Sequence, residues 1–67
     1  MTFEEWAKRS WAVTEPEDLK RPCIPFCVEK CAYEVAEEAI DAGYNVEVVK
    51  VNNDWCITEI DNSELQQ

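Results

Sequence analysis

The sequence predicts an α+β fold: a single small domain over 1–67 with a short N-terminal helix, a long amphipathic helix and a C-terminal β-hairpin. Three observations carry this. A capped aromatic segment opens the chain, an alanine- and valine-spaced segment runs to Gly43, the one glycine, and two β-rich runs flank Asn52-Asn53-Asp54. With 67 residues there is room for one domain and no second lobe. A hydrophobic fraction of 46%, including three Trp, two Tyr and two Phe, is too high for an acidic disordered chain.

Thr2-Phe3-Glu4-Glu5 has the S/T-x-x-E form of a capping box, in which hydroxyl and carboxylate satisfy amides at the start of a helix. Phe3, Trp6, Ala7 and Trp11 follow at helical spacing with Lys8 and Arg9 turned away, so a helix is expected over 3–12. Residues 13–24 read as a loop holding at most one helical turn at Thr14-Glu15-Pro16-Glu17. Pro25 suits the first position of a helix, where its missing amide hydrogen has no partner to lose. The second helix is therefore expected over 25–42, with Cys27, Val28, Cys31, Ala32, Val35, Ala39 and Ala42 on its apolar face and Gly43 as its left-handed cap. Valine-dense 44–51, the Asn-Asn-Asp turn and the alternation after Trp55 make 44–60 a hairpin. Two strands alone are marginal, so the hairpin must lie on the long helix, recruit a third strand from 20–24, or pair with another chain. The polar tail 61–67 is expected to fray.

Four cysteines are the natural place to look for a staple in so small a chain. Cys23, Cys27 and Cys31 stand four apart, a single stripe if helical, and Cys56 in the second strand could approach them, so the four thiolates are a candidate zinc site. The spacing lacks the paired C-x2–4-C turns of structural zinc sites, and thiols packed as core are the simpler expectation, with no cofactor. No histidine is present to activate a cysteine or serine, and one glycine cannot make a phosphate loop, so no enzymatic activity is expected.

The net charge of −9 disfavours direct contact with nucleic acid or anionic membranes. It is unevenly placed: residues 1–22 hold five acids and four bases, residues 23–67 ten acids and two bases, Lys30 and Lys50. Glu34, Glu37, Glu38 and Asp41 follow i, i+3, i+4, i+7 spacing, a carboxylate row about 10 Å long on a helix. Like charges at i, i+4 cost a few tenths of a kcal/mol each, with no lysine interleaved to relieve them. The row is a candidate docking face for a basic or nucleic-acid-binding protein, with Glu47, Glu59 and Asp61 as extensions. The simpler alternative is a solubilising surface. Tyr33 and Ile40 stand on the back of the same helix. The N-terminal helix is expected to cover them with Trp6 and Trp11, and uncovered they would form an apolar contact beside the row. No apolar run approaches the roughly 18 residues of a membrane span, and no basic-then-apolar leader is read at the start, so a cytoplasmic protein with reduced thiols is expected.

The opening Met1-Thr2-Phe3-Glu4-Glu5-Trp6 and the later Cys31-Ala32-Tyr33-Glu34-Val35-Ala36 resemble the short acidic accessory proteins of phage and prophage early regions. The resemblance implies binding, often inhibition, of a host protein in the host cytoplasm, and carries no site residue with it. The function expected is thus a small non-enzymatic protein-binding module, a modulator or inhibitor acting through the acidic helix face by nucleic-acid mimicry. The alternatives are a cysteine-ligated zinc protein and a module that self-associates into a homo-oligomer through the hairpin edge or the aromatic surface.

Overall fold

The computed structural model describes residues 2–60. Its elements run α1 (Phe3–Lys8), β1 (Cys23–Phe26), α2 (Glu29–Asp41), β2 (Val46–Val51) and β3 (Asp54–Glu59), an α+β arrangement in one compact domain. The strands form an antiparallel sheet in the order β1-β3-β2, and α2 packs across one face of it.

Thr2 caps α1 as its sequence requires: the Glu5 amide donates to Thr2 Oγ1 at 3.2 Å, and the Thr2 hydroxyl donates to Glu5 Oε1 at 3.3 Å. The helix stops at Lys8, short of the expected residue 12. The amides of Ser10 and Trp11 both close on the Ala7 carbonyl, at 3.2 and 2.9 Å, turning the chain so that the Trp11 ring packs at a tilt against Trp6 with centroids 5.2 Å apart. Tyr44 completes this aromatic group, 6.0 Å from Phe3 and 5.7 Å from Trp6. The N-terminal aromatics are thereby used to fasten α1 to the end of α2.

The largest departure from expectation lies at 23–28. Pro25 does not open a helix: Cys23–Phe26 is the third strand, and α2 begins at Glu29 after an N-cap Val28 that makes no side-chain capping bond. A residue before proline is driven out of the α region, so Ile24 is extended, and extended it can enter the sheet. There it pairs with Ile57, both essentially solvent-free at 1% and 0% exposure. Pro25 fits because β1 is an edge strand. Cys23 turns its backbone outward to exchange bonds of 2.9 and 2.8 Å with Thr14, and Pro25, two residues on, faces the same way, where no amide is needed. The three-stranded sheet supplies what the hairpin alone lacks.

The remaining turns are local chemistry. Asn52 and Asn53 both take positive φ, 51° and 71°, the two-residue connection that matches the twist of a hairpin and sets the Val51↔Asp54 register. Gly43 has φ 101°, its amide donates to Ile40 O and that of Tyr44 to Ala39 O, both at 3.0 Å, the paired bonds of a Schellman cap.

The core between α2 and the sheet joins Ala32, Val35, Ala36 and Ala39 to Ile24 and Ile57, with Phe3 and Ala7 closing one end. Ala36 belongs to this buried face, whereas Cys27, Val28, Cys31 and Ala42, expected on it, are exposed; Cys27 and Val28 precede the helix, which starts four residues later than anticipated. The opposite sheet face is covered by the segment between α1 and β1: the Thr58 hydroxyl donates to Pro22 O at 3.2 Å, and Arg21 Nη1 donates to Glu59 O at 3.0 Å. The tail expected over 61–67, and Asp61 with it, lies outside the described residues.

The Schellman cap orients Tyr44 toward α1, so the φ of Gly43 matters beyond the helix end. Nothing lies within 4 Å of an added Cβ, so Gly43→Ala tests backbone strain alone. It is expected to lower unfolding free energy by about 1–2 kcal/mol in urea titrations, and an unchanged midpoint would contradict this role of the cap.

Candidate functional site

The outer face of α2 follows from the inner one. With Ala32, Val35, Ala36 and Ala39 turned to the sheet, a rotation of about 100° per residue puts Glu34, Glu37 and Asp41 on the line farthest from the core, with Lys30 one turn before Glu34. Glu38 stands on one flank of that line, Tyr33 and Ile40 on the other. All of these residues are exposed. Among the described residues no cation pairs with Glu34, Glu37, Glu38 or Asp41; the ion pair present is Lys8 with Glu4, 3.2 Å apart on α1. Lys50, the other base beyond residue 22, is drawn over the Trp55 ring, 5.0 Å from its centroid.

The acidic line is also placed against the helix dipole. Glu37, Glu38 and Asp41 lie toward the C-terminal end, where carboxylates face unsatisfied carbonyls, and the last turn holds no base. Mutual repulsion and the dipole both oppose this arrangement.

Two expectations about this surface are corrected. Tyr33 and Ile40 are not covered by α1: they are 51% and 56% exposed, while Trp6 is committed to Phe3 and Tyr44 and Trp11 to Trp6. The face is therefore mixed, a carboxylate line bordered by two apolar side chains about 10 Å apart along the axis. Glu47 does not extend it. It pairs with Thr58 on the sheet face turned away from α2, so the sheet lies between it and the acidic line.

The cysteines divide into two pairs and do not assemble as a zinc site. Cys23 and Cys56 are buried on the helix-free sheet face, while Cys27 and Cys31 are exposed at the entry to α2. Among the described residues no group of three or more metal-ligating side chains could hold an ion. The extended conformation of 23–26 is the reason, since it breaks the stripe that a continuous helix would have made. Burial first, then the neighbouring Cys56 side chain and Asp54, push the Cys23 pKa from 9.0 up to about 12.

A cleft of about 400 Å³ opens over this face, lined by Thr14, Pro16, Pro25, Val51, Asn52, Asp54 and Cys56. Sequence reasoning missed both the cleft and the thiol pair. The available signal was strand parity: Asp54, Cys56 and Thr58 alternate with Trp55 and Ile57, so a core role for Ile57 already turned Cys56 to the other side.

No family model, curated protein or solved structure matches the chain.

Two measurements check these features. Asp41→Lys removes one repulsion and places a cation at the helix C-terminus, and is expected to stabilise the fold by about 0.3–1 kcal/mol at low salt, less at high salt. For Cys23, the unfolded chain releases its proton near pH 9.0 and the folded chain holds it to about 12, so the folded state binds more protons in between. This stabilising contribution is full below 9.0 and is lost as pH rises toward 12. The urea midpoint should accordingly fall more steeply across that window in the unaltered chain than in Cys23→Ala.

Proposed function

We propose that the protein is a small non-enzymatic binding module whose outer α2 face docks on a basic protein surface, in the manner of a phage-type modulator or inhibitor in the host cytoplasm. The observation that supports this most is the combination on one face: a carboxylate line disfavoured by both repulsion and dipole, bordered by Tyr33 and Ile40, which stay exposed although the domain has an aromatic cluster to hold them. A merely solubilising surface has no use for those two apolar side chains. Neighbouring carboxylates step by about 5–6 Å between Cβ atoms along the helix, a regular line of negative charge of the kind a nucleic-acid-binding groove accepts. The charge would speed encounter and set orientation, and the apolar pair would hold the complex. No described helix is long and apolar enough to cross a membrane.

Capture of partners from host lysate on the immobilised chain, washed at rising salt, tests the proposal. A basic partner should elute progressively, and the combination Glu34→Lys, Glu37→Lys and Asp41→Lys should weaken its binding at least about tenfold, or about 1.4 kcal/mol, with cooperative unfolding retained. Tyr33→Ala with Ile40→Ala should weaken binding while leaving its salt dependence in place. Retention of the same partner at full strength by the charge-reversed chain would rule the acidic face out.

A further inference from the structure

The helix-free sheet face, which has no part in the proposed docking surface, carries a second chemistry. Cys23 and Cys56 occupy adjacent strands two rungs apart, since Cys23 pairs with Thr58 and Pro25 with Cys56, with the Ile24–Ile57 rung between. Opposed residues of an antiparallel ladder share a face, so both thiols project to the same side. Both are buried, and they differ in what lies over them. Cys23 is 0% exposed and shielded by the segment that bridges through Thr14, whereas Cys56, at 2%, forms part of the wall of the open cleft. The other two cysteines have no such arrangement: Cys27 precedes α2 and Cys31 lies in it, both on the surface.

We propose that Cys56 and Cys23 are a redox pair, reacting with a small-molecule disulfide admitted by the cleft and closing to a reversible disulfide between β3 and β1. The Cys56 thiolate attacks one sulfur of the small disulfide RSSR, forming a mixed disulfide and expelling RS⁻, which takes up the proton Cys56 has lost. Cys23 then gives up its proton and its sulfur attacks Cys56 Sγ, expelling the second RS⁻, which is protonated in turn. Two protein thiols and RSSR become one protein disulfide and two RSH, with two electrons passing from the protein to the small molecule. Diagonal neighbours on adjacent strands lie about 7–8 Å apart, beyond the roughly 4.4–6.8 Å usual across a disulfide, so closure requires β1 to be drawn toward β3. A bond held under that tension is more readily reduced than a relaxed structural one, which makes it reversible.

The test uses the full chain with Cys27→Ser and Cys31→Ser, both at exposed positions, so that the buried pair alone can react. Folded protein is incubated with oxidised glutathione, quenched in acid, denatured, treated with N-ethylmaleimide and weighed, intact and after digestion. The expected product is lighter than the reduced chain by two hydrogen atoms, takes up no maleimide and yields a peptide pair joining Cys23 to Cys56. It returns to the starting mass with dithiothreitol, and its thermal midpoint lies above that of the reduced form because the link closes the 23–56 loop. Two maleimides on every chain, a stable single glutathione adduct, or a disulfide formed only in urea would each overturn the proposal. Should the double variant not fold, the unaltered chain is oxidised and digested in the same way: a Cys23–Cys56 peptide pair supports the proposal, and a Cys27–Cys31 link or scrambled pairing counts against it.

Discussion

The antiparallel pairing of Cys23–Phe26 with Asp54–Glu59 is the contact on which the other features of the fold depend. It turns a marginal hairpin into a three-stranded sheet and places Ile24 beside Ile57 beneath α2. It also makes β3 central, so that β3 is protected on both edges. The same pairing delays the start of α2 to Glu29, so that Cys27 and Val28 fall outside the helix. The Thr14 bridge follows as well, because Cys23 as an edge residue has outward backbone groups to satisfy. Thr14 and the proline at position 25 together close the β1 edge, whereas no further strand lies against β2 among the described residues. In α2 the residues facing the sheet are mostly alanine, which lets the helix backbone lie close to the strands, and the large side chains sit at the periphery of the core.

The two sides of α2 answer to different demands. The inner side is small, apolar and buried. The outer side carries acids where the dipole would favour bases, and leaves a tyrosine and an isoleucine in solvent. Neither property helps a helix to form or a domain to stay folded. The docking proposed for this face would account for surface chemistry that works against its own element, and it rests on the meeting of charge and apolar residues on one side of one helix.

The two faces of the sheet differ in a comparable way. Beneath α2 the contacts are hydrocarbon. On the other side a cysteine pair and a threonine hydroxyl lie under an irregular segment, and every buried side-chain polar atom among the described residues has a partner. An irregular cover has gaps between its turns, and one of them is the cleft that reaches Cys56. Sheet parity thus separates the thiols from the acidic surface, and Glu47 from the acids it was expected to join.

Local sequence chemistry determined the α+β class, the capped aromatic start, the acidic row on a helix, the asparagine turn and the glycine stop, because each depends on contacts within a few residues. Thr2 caps within three residues, the row needs only the 3.6-residue period, and positive φ at Asn52, Asn53 and Gly43 is a property of the residue types. Tertiary structure decided the conformation of 23–26, the exposure of Tyr33 and Ile40, the side of the sheet given to Glu47, and the division of the cysteines. The conformation of 23–26 and the division of the cysteines turned on a pairing across more than thirty residues of chain, between β1 and β3, the exposure of Tyr33 and Ile40 on which surface α1 would cover, and the side of Glu47 on which sheet face α2 would pack against. A proline that opens a helix and a proline at a strand edge satisfy the same local rule, the absence of an amide donor. Only the long-range need of the hairpin for a third strand chose between them.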